Sequence, residues 1–121
     1  YVEEIPIEVT RELLDRGRNR YDVFCATCHG MIGDGESEVA ENMTLMPPPS
    51  LHLLRLRTAP AGQLFAVVSY GYGFMPEYRT RIELADRWAV VAYLQVLQLS
   101  QYAVLDELPA QVYQEARQWL K

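Results

Sequence analysis

Cys25-Ala26-Thr27-Cys28-His29 is the stretch that decides how this chain is read. It holds both cysteines of the 121 residues and one of the two histidines. Two cysteines in an exported chain ordinarily suggest one disulfide. Here they stand three positions apart with a histidine directly behind, the C-x-x-C-H signature of covalent attachment of a c-type haem. The spacing has a physical reason: two thiols so placed reach both vinyl groups of one porphyrin, and the next residue's imidazole then faces the iron. The competing reading is zinc on Cys25, Cys28, His29 and His52, since no other Cys or His exists. Tetrahedral zinc sites normally draw their ligands as two spaced pairs, which the adjacent Cys28 and His29 fit badly.

His29 is therefore the candidate for one axial ligand, and the ligand opposite decides the chemistry. An open position suggests gas or peroxide chemistry, whereas Met or His suggests electron transfer. The candidates are Met31, Met43, Met46, Met75 and His52. Met31 is too close to His29 to reach the other face. Met43 and Met46 precede a proline run and read as buried loop methionines. Met75 lies in Gly71-Tyr72-Gly73-Phe74-Met75-Pro76, where glycines let backbone approach a flat ligand and Pro76 stiffens the turn. His52 is the runner-up, with a surface loop histidine as its ordinary reading. A Met/His pair raises the haem potential and closes both axial positions, which suits one-electron shuttling. A ligand His usually gives its other N–H to a carbonyl, and Pro47, Pro48 and Pro49 can hold one. Arg55, Arg57, Arg81, Arg87, Tyr70, Tyr72, Tyr78 and Trp88 are candidates for the propionates, although most of the arginines read as solvated surface. Ten of the eleven basic residues are Arg, the better partner for carboxylates.

Around the motif the pattern is helical, and the fold class read from it is all-α. Residues 1–9 are acidic, contain Pro6, and read as an extended arm. Thr10 is a plausible N-cap for a helix carrying Leu13, Leu14, Gly17, Tyr21 and Phe24 into Cys25. Residues 30–50 are loop, apart from a short turn near 39–43. A helix is expected over 60–70 and a core helix, apolar nearly all round, over 83–99. A last amphipathic segment runs over 109–120. The domain reading is an arm at 1–9, a haem domain at 10–99 and a C-terminal extension at 100–121.

Half the residues are apolar and 22% are charged, which fits one globular domain with a real core. No apolar run approaches the length of a membrane helix. A net charge of −5 speaks against a general nucleic-acid binder. Acids concentrate in 1–15 and 34–41 and arginines in 55–87, so a polarised surface able to steer a complementary partner is expected. The chain begins at Tyr1 without a leader, and an export signal, lipid anchor or membrane helix removed from its front is compatible with the chemistry.

These residues resemble the small monohaem cytochromes c of the mitochondrial type. The resemblance rests on Cys25-x-x-Cys28-His29, Met75-Pro76 46 residues on, Gly17 with Tyr21, and Val90-Val91-Ala92-Tyr93-Leu94, and covers about residues 11–99. It implies helices around one covalent haem c, with the last helix crossing the first at Gly17. It also implies that the carbonyl of Pro49, in Pro49-Ser50-Leu51, accepts from His29. A narrower resemblance is to the monohaem cytochrome subunit of alternative complex III. It is carried by Arg16-Gly17-Arg18-Asn19-Arg20-Tyr21, by Gly33-Asp34-Gly35, by Pro48-Pro49-Ser50-Leu51-His52, by Leu56-Arg57 with Ala59-Pro60-Ala61-Gly62, by Asp86-Arg87-Trp88-Ala89-Val90-Val91-Ala92-Tyr93, and by a tail with Leu97-Gln98-Leu99-Ser100-Gln101 and Glu107-Leu108-Pro109. It implies an exported bacterial respiratory subunit, periplasmic or on the outer face of the inner membrane and typically lipid-anchored. Such a subunit passes electrons from a quinol-oxidising complex towards a terminal oxidase. Cys25, Cys28, His29, Met75, Pro49, Tyr72, Arg57 and Trp88 are the expected haem contacts, with His29 and Met75 on the iron. The alternatives are a free-standing soluble cytochrome c or the cytochrome domain of an oxidase, and, more weakly, a gas- or peroxide-reactive haem enzyme. The tail reads either as a grip for a partner or as a cap on the core.

Overall fold

The computed structural model describes residues 1–43, 47–102 and 110–119. Met46 and the stretch 103–109 lie outside the described residues. The described residues form seven helices in the order α1 Arg11–Phe24, α2 Ala26–His29, α3 Glu38–Asn42, α4 Leu54–Arg57, α5 Ala61–Tyr70, α6 Leu84–Tyr102 and α7 Ala110–Trp119. Among them the only β pairing is an isolated bridge between Tyr72 and Met75. No described helix is long and apolar enough to cross a membrane.

The first helix starts where the capping signal puts it. The Thr10 side chain accepts from the Leu13 N–H at 3.0 Å, and Glu12 lies at the positive end of the helix dipole. Leu14, Gly17 and Tyr21 form its buried stripe, facing α6. The two helices cross at Gly17. A Cβ there would lie 2.0 Å from the Ala89 carbonyl oxygen and 3.0 Å from the Tyr93 Cβ, so only glycine permits this approach. One turn on, the Tyr21 and Tyr93 rings meet with centroids 5.4 Å apart. Ala89, Val90, Val91, Ala92, Tyr93 and Val96 make α6 the buried axis of the molecule, as its apolar circumference predicts.

Helix α5 packs on α6 through Leu64 and through Phe65, whose ring stacks on Trp88 at 4.0 Å. The first turn of a helix leaves its N–H groups without partners. Here the arm supplies two of them: Glu3 O accepts from Ala61 N at 3.1 Å and Val2 O from Gly62 N at 2.8 Å. The arm also buries Ile5 and Val9 in the main cluster, so its alternating apolar residues belong to the core. At the other end of the chain, α7 folds back. Val112 is fully buried, and the Trp119 indole donates to Asp15 at 2.8 Å while its ring meets Tyr93 edge-on. Of the two readings of the tail, these contacts make α7 a cap on the α1–α6 crossing.

Candidate cofactor site

The cysteine motif is the hinge between α1 and the single turn α2. Cys25 closes α1, its N–H donating to Tyr21 O at 2.8 Å. Its own carbonyl then accepts from Cys28 and His29, at 3.1 and 2.9 Å. This turn sets both sulfurs and the imidazole within four residues of each other. Neither cysteine is in a disulfide; Cys25 is buried and Cys28 half-exposed. Burial pushes the Cys25 thiol up to about 12, with the neighbouring Cys28 and Asp22 adding to it, so it stays protonated at neutral pH. Burial also holds His29 below the ordinary imidazole value, so the ring is neutral, the form that can give a lone pair to a metal. Its Nδ1 is buried without a hydrogen-bond partner among the described residues. Two free thiols beside a neutral, half-buried imidazole whose Nδ1 has no hydrogen-bond partner among the described residues fit a covalently held haem.

The backbone around the motif is fully tied. The Tyr21 hydroxyl donates to Gly30 O at 2.8 Å, Ser37 Oγ to Cys28 O at 2.9 Å, and Gly35 N to His29 O at 2.8 Å. Ser37 was not anticipated as a site residue. Its signal in the sequence was that of an N-cap: it caps α3 by accepting from Ala40 N, and the same hydroxyl reaches back to Cys28.

Met75 sits in a tight turn. Tyr72 and Met75 exchange both backbone hydrogen bonds, at 3.2 and 2.9 Å. Gly71, at φ 78°, begins the turn in the left-handed region, and a Cβ there would lie 2.5 Å from Met75 O. Met75 is half-buried and packs on a small cluster of Val68, Tyr78 and Ile82, which Phe24 also joins. Phe24 immediately precedes Cys25, so the turn lies at the cysteine end of the molecule. Tyr78 lies at the same end, its hydroxyl donating to Phe24 O at 3.4 Å. Burial raises that hydroxyl above the ordinary value, and the nearby Cys25 and Cys28 add to the rise.

The other expected residues are placed as follows. The Pro48–Ser50 backbone runs against Gly35, where a Cβ would lie 2.9 Å from Pro48 O. This sets Pro49 near the His29 turn, without a bond from His29 Nδ1. Arg57 Nε donates to His52 O at 2.8 Å. Trp88 is buried against Phe65, and Arg87 lies over that same ring and donates to the fully buried Ser69 at 2.7 Å. Tyr72 and Phe74 are exposed at the tip of the turn. Met31 is exposed and Met43 half-buried rather than buried.

His52 requires a correction. It is not a surface histidine: it is 6% exposed, and its Nε2 donates to Ile32 O at 2.6 Å. With Leu51 N donating to Gly33 O and Gln98 Nε2 to Leu51 O, it pins the loop behind the cysteine motif to α6. The isolated polar residue in Leu51-His52-Leu53 concealed this, because its partner is a backbone carbonyl twenty residues away. Among the described residues no group of three or more His, Cys, Asp or Glu converges to hold a metal ion, so the zinc reading finds no assembled site.

Comparison with known proteins agrees with this geometry. The family model described as "Cytochrome C oxidase, cbb3-type, subunit III" matches residues 12–94. No curated protein sequence matches. Fifteen chains of solved structure do. One belongs to the Kuenenia stuttgartiensis reducing HAO-like protein complex, with a TM-score of 0.66 and 17% identity over 78% of this chain. Another is cytochrome cL from Hyphomicrobium denitrificans, with a TM-score of 0.59 and 22% identity over 86% of this chain. A third, titled KustC0563 c-type cytochrome, has a TM-score of 0.57 and 16% identity over 67% of this chain and 95% of its own. The chain spans 48% of the first of these and 58% of cytochrome cL. At these identities the likeness is one of fold, the all-α fold of the small cytochromes c.

Proposed function

The chain belongs to the c-type cytochrome family described as cytochrome c oxidase, cbb3-type, subunit III, and on that premise we propose that it is a one-electron carrier with His29 and Met75 as axial ligands of a single haem c. Family membership implies the covalent haem and haem-based electron transfer. The ligand pair is our reading. The observation that carries it is the cluster of Val68, Tyr78 and Ile82, against which both Met75 and Phe24, the residue before Cys25, pack. It brings a glycine-flanked methionine to the end of the molecule that holds the thiols and the neutral imidazole.

In this reading the haem supplies the redox change and the chain supplies everything around it. Cys25 and Cys28, within one helical turn, would hold the ring covalently. Partial burial favours the neutral form of His29, which would bind the iron. With Met75 as the second ligand, small molecules would be kept from the metal. A thioether favours the reduced iron and raises the potential. Pro49 is assigned the carbonyl that receives the His29 N–H, which orients the ring. Tyr72, Arg57 and Trp88 are assigned the remaining haem contacts. The protein is a redox subunit and makes or breaks no substrate bond.

We place it in a bacterial respiratory chain, on the periplasmic side of the inner membrane. There it passes electrons from a quinol-oxidising assembly of the alternative complex III kind towards a terminal oxidase. The shared run from Asp86 to Tyr93 and the Arg16–Tyr21 segment support that assignment. An N-terminal anchor would hold such a subunit at the membrane. The cytochrome domain of an oxidase is the second reading, favoured by the family description itself. Electron-transfer contacts are small and transient, and the exposed Tyr72 and Phe74 beside Met75 suit such a contact.

Met75→Ala tests the ligand pair. The expected result is a lowered reduction potential and an iron open to cyanide and carbon monoxide. An unchanged potential and spectrum overturns the assignment of Met75.

A further inference from the structure

Ligation by Met75 needs more than a turn of the right shape, because the turn must also be kept from swinging away. Its tip is solvated, with Tyr72 and Phe74 both exposed. Its internal hydrogen bonds join Tyr72 to Met75 and so fix shape without fixing position. Position comes from the residues that follow. Tyr78 N donates to Val68 O and Arg79 N to Ser69 O, each at 3.1 Å, which ties the strand after Met75 to the last turn of α5.

Tyr78 makes a second tie. Its hydroxyl donates to Phe24 O at 3.4 Å, and its ring meets the Phe24 ring edge-on with centroids 6.1 Å apart. Phe24 O belongs to the last turn of α1, where carbonyls lack partners within the helix. One buried residue therefore joins three things: the segment behind Met75, the end of α5 through its backbone N–H, and, through its side chain, the residue that precedes Cys25.

We propose that Tyr78 is a positioning residue, a clamp that holds the Met75 turn against the cysteine end of α1 and so sets how readily Met75 leaves the iron. This rests on the reading of Met75 as the axial ligand. The Phe24–Tyr78 ring contact supplies the larger share of the hold and the hydroxyl the finer share. The effect shows in the rate at which an outside ligand replaces Met75, since such a ligand enters only when the turn has opened.

The test is the association rate of imidazole with the ferric holoprotein, followed in the visible spectrum. Tyr78→Phe keeps the ring and loses the hydroxyl. Its imidazole rate should rise by roughly twofold, the low end for one hydrogen bond because this one is long, while the weak red band of Met-bound ferric haem persists. Tyr78→Leu loses both contacts and should rise further. Trp119→Phe is the control, because it removes a hydrogen bond to Asp15, in the first half of α1, and leaves the Tyr78–Phe24 contacts in place. Its imidazole rate should match the parent's. Equal rates in Tyr78→Leu and the parent overturn the clamp, as does an equal acceleration in Trp119→Phe, and equal rates in Tyr78→Phe overturn the share given to the hydroxyl. Met75→Ala separates the two levels of the argument. If it opens the iron while Tyr78→Leu changes nothing, the clamp alone fails. If it leaves the spectrum unchanged, the ligand reading fails with it.

Discussion

The crossing of α1 and α6 and the turn that carries Met75 each depend on a glycine, for opposite reasons. Gly17 is there because two helices leave no room for a side chain: the Ala89 carbonyl occupies the space. The packing around it is dense, with Leu14, Tyr21, Ala89, Val90 and Val91 all essentially out of water. Gly71 is there because the backbone turns through the left-handed region and passes close to Met75 O. Little is buried around it. The crossing thus holds the fold, and the turn holds one atom in place. Damage to the first should unfold the protein, and damage to the second should change its chemistry with the fold intact.

The largest effect is expected at the crossing. Gly17→Val forces α6 away along its length and should cost more than about 3 kcal/mol, beyond ordinary overpacking, because the obstacle is backbone. Loss of the helical far-UV dichroism or a steep drop in Tm checks it; near-parental melting would mean that the helices do not cross there.

The turn comes next. Gly71→Ala should cost more than about 2 kcal/mol, because the strain of a left-handed non-glycine residue adds to a Cβ lying 2.5 Å from Met75 O. Its distinguishing result is spectroscopic: the ferric Met signature weakens while the helical signal stays. A variant that melts early with the Met signature intact would make Gly71 part of the scaffold instead.

Tyr21→Phe tests the link between the crossing and the cysteine motif. It removes the bond to Gly30 O and leaves that carbonyl buried without it, worth about 1–3 kcal/mol in denaturant unfolding. No change in the unfolding midpoint would show the bond to be idle.

Trp119→Phe should be the mildest, about 0.5–1.5 kcal/mol for the lost hydrogen bond to Asp15. A parental midpoint would detach α7 from the core and return the tail to the role of a partner grip.

The two regions also differ in how far they could be read from sequence. Helical spacing marked the two helices, and their crossing at Gly17 was legible through the family resemblance carried by Gly17, Tyr21 and the run Val90–Leu94. The Thr10 cap and the extent of α5 followed from local rules, and α6 begins at Leu84, one residue from where its pattern starts. The cysteine motif was legible because its spacing is chemical. What stayed hidden depends on contacts between distant segments. The arm looked solvated because Glu3, Glu4 and Glu8 alternate with the buried Ile5 and Val9. His52 looked like a surface residue because its partner is a backbone carbonyl. Helix α4 is one turn long, too short for any period to show. Tyr78 could be named as a candidate contact, but its bond to Phe24 spans 54 residues and leaves no local trace.

The most direct test of the central claim is the visible spectrum of the purified holoprotein, oxidised and reduced, together with its pyridine haemochrome. A c-type haemochrome with the weak red band of Met-bound ferric haem is the predicted result. A c-type haem without that band, or one that binds carbon monoxide on reduction, would contradict a His29/Met75 electron carrier.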